Sequence, residues 1–290
     1  MVRRGSASGK GITMKSSGPG IGLRTREWRP ADHGRLAVSE ANPARVYNYL
    51  VGGKDNYLAD YEQAQRFLGV APEVRDTALS NRRFLHRAVR HLAANGISQF
   101  LDIGAGLPAT PNVHEIAQAV NPRVRVVYAD NDPIVASHGQ ARLSVSGTTM
   151  VKADIRSPED LLGHEELRRL LDPAQPVAIL LTLVLDYIED LANPVGIVRR
   201  LMDWAAPGSC LVLSHATGDF TLDTDRDWEV ISFEGPVSLV ARDHAGIMEF
   251  FAGLDLLAPG LVQLPSWRPG IGAESDPTRV WAYGGVARKP

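Results

Sequence analysis

With one cysteine, Cys210, and 31 Lys and Arg against 33 Asp and Glu, this 290-residue chain has no material for a disulfide framework or a multi-cysteine metal site. No apolar run approaches the ~20 residues of a membrane-spanning helix, and residues 1–29 carry arginines without an apolar middle, so neither a membrane span nor a secretory leader is expected and the expected location is cytoplasmic. Residues 1–30 hold seven Lys and Arg and one acid, which leaves the remainder at a net charge of about −8, a poor surface for nucleic-acid phosphates.

Residues 1–38 are rich in Gly, Ser and Arg and read as a disordered basic tail. Residues 39–96 read as a helical cover and 97–290 as a ligand-binding α/β domain. In the cover, Pro43 suits the first turn of a short helix capped by Asn42 and stopped at Gly52 and Gly53. Tyr47, Tyr49, Tyr57, Arg45, Lys54 and Asn56 crowd hydrogen-bonding groups into this segment. Either a place over a ligand or a half-packed surface helix and loop accounts for them. Helices are expected at 58–69 and 72–95, the second with an apolar stripe through Val74, Phe84, Leu85, Ala88 and Leu92.

From Gln99 strands and helices alternate. Strands are expected at Gln99–Ile103, 125–129, Thr148–Lys152, 177–183 and 210–214, with helices between them at Val113–Val120, Pro133–Leu143, 158–171 and 193–205. The run at 177–183 is almost wholly apolar, as in a strand buried on both faces. A helix at 243–253 precedes strands at 261–264 and 280–287, whose link is rich in Pro and Gly and leaves no room for a crossover helix. This order predicts an α/β fold with a doubly wound, seven-stranded, mostly parallel sheet, a C-terminal antiparallel hairpin at its edge and the N-terminal helical cover.

The stretch FLDIGAG at 100–106 is a buried strand entering a tight turn at Gly104 and Gly106, and Asn112 with Glu115 has capping-box spacing for the helix that follows. Glycine lets a ligand approach the backbone itself near a helix N-terminus. In open α/β sheets, ligands lie at the carboxyl ends of the strands. Three acids fall there. Asp130, with Asn131 beside it, is placed to accept from ribose hydroxyls. Asp154 can accept from an adenine amine, with the backbone N–H of Ile155 donating to the ring. Asp102 can hold the glycine loop or take the amino group of a methionine moiety. Taken singly, each is also an ordinary turn aspartate. Three on successive strands point to an adenosyl ligand.

These features, with the terminal hairpin, resemble the class I S-adenosylmethionine-dependent methyltransferases. The stretches NPARVYNYLVGGKDNY (42–57), FLDIGAGLP (100–108), NVHE (112–115), VYADNDP (127–133) and YGGVARK (283–289) are similar more narrowly to the bacterial subfamily once known only as DUF574. The resemblance covers residues 35–290. It implies a Rossmann-like methyltransferase fold and S-adenosyl-L-methionine as cofactor, and it leaves the methyl acceptor open.

Methyl transfer from a sulfonium is an in-line displacement, so holding donor and nucleophile in line can supply most of the rate. A base helps when the acceptor is a hydroxyl or ammonium. Candidates are His215 after the fifth strand, Asp186 after the fourth, and Tyr47 or Tyr49 in the cover. His215 reads equally as a strand-end histidine bonded to backbone. Many class I enzymes carry a histidine pair after strand four, whereas LDYIED stands here at 185–190; Asp186 takes that place or no base is used. His114 suits either cofactor contact or helix capping. Trp228 and Phe233 are candidates for an acceptor pocket. The acidic start of 219–236 suits a cationic acceptor or a solvated loop. The expected acceptor is a small molecule and the expected assembly a monomer or homodimer. Two other readings stay open. One is an NAD-binding oxidoreductase, through the relaxed pattern Gly104-x-Gly106-x-x-Ala109 and against Asp102 and Asp154. The other is a non-enzymatic module that binds S-adenosylmethionine for regulation.

Overall fold

Three helices open the fold in a computed structural model that describes residues 38–220, 239–270 and 276–290. The expected tail, apart from its last residue, lies outside the described residues, as do Trp228, Phe233 and most of the acidic segment. Helix α1 (Pro43–Leu50) starts at Asn42, whose side chain accepts from the Ala44 N–H, with Pro43 in the first turn where a missing amide costs nothing. Helices α2 (Leu58–Val70) and α3 (Glu73–Ala94) follow. They bury a small core of their own around Val46, Leu50, Ala64, Phe67 and Ala78. The described residues belong to one compact unit.

The sheet is the expected doubly wound one. Strands β1 (Gln99–Ile103), β2 (Arg125–Asp130), β3 (Thr148–Lys152), β4 (Ala178–Thr182) and β5 (Cys210–Ala216) are parallel, and β8 (Ala282–Arg288) runs antiparallel to β5. The order is β3-β2-β1-β4-β5-β8, so the chain reverses its direction of winding between β1 and β4. Crossovers pass through α4 (Val113–Val120), α5 (Pro133–Leu143), α6 (Pro158–Gly163), α7 (Glu165–Leu170) and α8 (Pro194–Trp204). Every residue of β1 is buried. Alternate residues feed separate cores: Phe100 packs with α3, α4 and α5, while Leu101 and Ile103 pack with α6, α7 and α8. Asp102 therefore shares the Phe100 face, the side covered by α3.

Three details depart from expectation. The helix expected at 158–171 is two short ones, because His164 is extended and its Nδ1 accepts from the Glu166 N–H as a fresh cap. The helix expected at 243–253 is α9 (His244–Met248), which tightens into a 3₁₀ turn at Glu249–Phe251 to bury Phe250 and Phe251. The last strand is not at the edge. Two-residue strands β6 (Asp255–Leu256) and β7 (Val262–Gln263) both pair antiparallel with β8, giving eight strands rather than seven. Gly284 permits this packing: a Cβ there would lie 2.7 Å from Leu264 and 3.0 Å from the Phe84 ring.

Candidate functional site

A cavity of about 700 Å³ opens at the carboxyl ends of β1 to β4, between the sheet and helices α1 and α3. That size is in the range of small-ligand sites. Its floor is the glycine turn. Gly104 and Gly106 have φ of +68° and +66°, a region that side chains disfavour. A Cβ on Gly104 would also come 2.4 Å from Val184. The Gly104 and Ala105 N–H groups donate to the Ala129 carbonyl at 2.8 and 3.1 Å, which pins the turn to β2. Above it, α1 contributes Asn42, Pro43, Ala44 and Tyr47 to the cavity wall.

Asp102, Asp130, Asn131, Asp154, Ile155, Gly104 and Gly106 all line this one cavity. Asp130 also braces the loop. One carboxylate oxygen accepts from the Gly106 N–H and the other from the Asp132 N–H, each at 2.9 Å. Burial pushes its carboxyl up to about 6. Asp102 is more isolated: among the described residues no hydrogen bond reaches its carboxylate. Burial pushes its pKa up to about 7, with Arg82 opposing the rise and Asp130 adding to it. Asp154 accepts from the Arg156 Nε at 2.9 and 3.1 Å and from Asn131 at 3.4 Å. Burial works against its charge, but the Arg156 hydrogen bonds outweigh it and hold the carboxyl below its ordinary value.

The expected bases stand elsewhere. His215 and Asp186 are buried away from the cavity wall, at 0% and 1% exposure. The His215 Nδ1 lies 2.8 Å from the Ala216 carbonyl and 3.2 Å from the Asp186 carboxylate. Its Nε2 lies 2.7 Å from Arg242 Nη1. Arginine only donates, so Nε2 accepts and the ring proton sits on Nδ1. Asp186 also accepts from the Ala216 N–H at 2.6 Å. The pair ties the β4 loop to the end of β5, and neither residue lines the cavity. Tyr47 does line the cavity, but its hydroxyl donates to the Ala78 carbonyl at 3.0 Å and accepts from Asn81 at 3.1 Å. His114 faces the Tyr128 hydroxyl at 2.8 Å, which excludes it from cofactor contact through Nδ1. Asn56 bonds to Asn48 and Gly53 within its own loop.

Among the wall residues that sequence reasoning missed are Asn81, Arg82, Leu183 and Tyr187. Thr77, Ser80 and Asn81 interrupt the apolar face of α3 with buried polar groups, a pattern that points to a polar site beneath that helix. Leu183 carries φ of +52°, a strained conformation for a leucine, and no residue pattern announces it. A hydrogen-bond chain holds it there. The Leu183 N–H donates to the Ser214 Oγ at 3.1 Å, Ser214 to Asn81 at 2.6 Å, and Asn81 to Tyr47.

The fold and this cavity define an α/β protein with a candidate ligand site at the switch point of its sheet, and comparison with known proteins gives its family. The chain belongs to the S-adenosyl methyltransferase family, whose family model matches residues 29–290. It is similar to a DUF574 family protein from Streptomyces avermitilis, with 39% identity and a TM-score of 0.82, over 88% of this chain and 100% of that one. It is likewise similar to a protein from Thermobifida fusca described as a candidate methyltransferase, with 37% identity and a TM-score of 0.82, over 88% and 97% of the two chains. No curated protein matches the chain significantly. It is therefore an S-adenosylmethionine-dependent methyltransferase with the expected fold. The site suits that cofactor: the glycine turn leaves room for close approach, and the buried Asp102 carboxylate has no hydrogen-bond donor among the described residues. No helix among the described residues is long and apolar enough to cross a membrane.

Proposed function

We propose that the enzyme methylates a small-molecule acceptor bound in the same cavity as the cofactor. S-adenosylmethionine supplies an electrophilic methyl group on a sulfonium. The cavity residues divide into two sets around it. Asp154 and the backbone of Ile155 take the adenine edge, Asp130 and Asn131 the ribose hydroxyls, Gly104 and Gly106 the close backbone approach, and Asp102 the methionine ammonium. The second set is the apolar wall at the end of β4: Leu183, Val184, Tyr187, Ile188 and Leu191. One cavity of about 700 Å³ that joins both sets carries this reading.

Positioning then does most of the catalytic work. His215 and Asp186 do not line the cavity and the Tyr47 proton is committed to Ala78, so none of the three serves as the proton acceptor. Burial raises the Tyr187 pKa, and the charge of Asp186 adds to the rise. Its neutral hydroxyl is better suited to orient an acceptor than to deprotonate one. An acceptor whose nucleophilic atom already carries an available lone pair fits such a site. The test is S-adenosylhomocysteine release across small amines, thiols and phenols, with peptide and RNA pools alongside. Turnover with a small acceptor is expected; turnover with the peptide or RNA pool alone would remove the small-molecule reading. For the cofactor set, Asp130→Ala should lower S-adenosylhomocysteine affinity at least about tenfold with an unchanged circular dichroism spectrum. Wild-type affinity in that variant would refute the ribose assignment.

A further inference from the structure

We propose that Arg82 anchors the carboxylate of the cofactor's methionine end, so that the site selects an intact amino-acid tail over a truncated nucleoside; this rests on the cofactor placement proposed above. Two arginines line the cavity, Arg82 and Arg156. Arg156 is engaged with Asp154 at the β3 end, where the adenine is placed. Arg82 projects from α3, which packs against β4, β5 and β8 at the other half of the sheet. Its Nη2 donates to the Ala109 and Pro111 carbonyls at 2.6 and 2.9 Å, in the segment that follows the glycine turn. Two main-chain acceptors thus hold the guanidinium in place. Among the described residues no acceptor takes its Nε or Nη1 hydrogens, and no carboxylate forms an ion pair with it. A guanidinium has five N–H donors in a planar fork that matches a carboxylate.

The partner charge is Asp102. It lines the same cavity, carries no hydrogen bond among the described residues and makes no ion pair with Arg82. A fixed cation and a separate buried anion facing one space are complementary to a zwitterion. The ammonium of an α-amino acid meets Asp102 and its carboxylate meets Arg82. A nucleoside thioether without that tail satisfies neither. Because the carbonyls already hold Arg82 in place, little ordering is needed when the ligand arrives.

The experiment is calorimetric titration of S-adenosylhomocysteine and 5′-methylthioadenosine into the wild-type protein, Arg82→Met and Arg82→Lys. In Arg82→Met, S-adenosylhomocysteine affinity should fall about 10- to 100-fold while methylthioadenosine affinity holds, and Arg82→Lys should recover part of the loss. An equal loss for both ligands would mean that Arg82 only holds the 109–111 segment, and unchanged S-adenosylhomocysteine affinity would mean that it touches no carboxylate; either result overturns the proposal. Failure of the wild-type protein to bind either ligand would overturn the cofactor placement itself. Should Arg82→Met not fold, the carboxamide of S-adenosylhomocysteine tests the same bond on the wild-type protein, and affinity equal to that of the acid overturns the assignment.

Discussion

Between its ordinary pKa of 3.8 and its folded value of about 7, Asp102 holds a proton in the native state that the unfolded chain has released. The folded state then binds more protons, so its stability falls as pH rises through that window. At neutral pH the buried carboxylate opposes folding, and Asp102→Asn should raise the free energy of unfolding by an amount on the order of 1–3 kcal/mol, read as a higher midpoint of chemical denaturation. The same change should weaken S-adenosylmethionine binding, because an amide cannot balance an ammonium. In the wild-type protein, affinity should drop as pH falls below about 7. A titration series from pH 5.5 to 8.5 on both proteins checks the pair of effects; a flat wild-type profile would separate Asp102 from the ammonium. Gly104 is the second residue-scale constraint. With φ at +68° and Val184 2.4 Å from an added Cβ, Gly104→Ala should cost about 2 kcal/mol or more of stability, read by urea denaturation.

Helix α1 has eight residues, too few to stand alone in water, and tertiary contacts hold it. The Arg45 Nε lies 3.3 Å from the Asp60 carboxylate and 3.8 Å from that of Asp132. Asp60 accepts from the N–H groups of Asn42 and Tyr57, while Asp132 caps α5 through the Ile134 N–H. One arginine thus joins α1 to α2 and to the turn that carries Asp130. Arg45→Met leaves two buried carboxylates short of a countercharge and should cost about 3–5 kcal/mol of stability. A similar role falls to His215 and Asp186 at the β4–β5 end. His215→Asn should lower the melting temperature yet leave turnover per folded molecule within about twofold of wild type, since a base contributes much more than that. If the variant instead folds with an unchanged melting temperature and loses about a hundredfold or more in turnover, His215 takes part in the chemistry.

At the scale of the whole molecule, the doubly wound order sets the cavity where the chain reverses between β1 and β4, and the cover roofs it. A ligand bound only by the native state adds roughly 2.7 kcal/mol at a hundred times its dissociation constant, so S-adenosylmethionine should shift the melting curve and NAD should not. Most of this architecture is legible along the chain. Apolar strands buried on both faces, the glycine turn, and acids at Asp102, Asp130 and Asp154 are local patterns, because strand burial and turn geometry each leave a mark on consecutive residues. The capping box of Asn112 and Glu115 and the α5 start at Pro133 are legible for the same reason. What the residues could not announce is which side chains meet. His215 stands at the end of a strand, as catalytic histidines do in other sheets, but its neighbours Arg242 and Phe250 flank α9 some thirty residues on and pack against it in the interior. Arg82 and Asn81 look like polar positions on a surface helix until α3 lies across the strand ends. The sequence by itself determined the elements, their order and the family, since these follow from periodicity and local backbone chemistry. Only the tertiary structure decided which titratable groups face the cavity, because that depends on contacts between residues far apart in the chain, where burial and charge are set together.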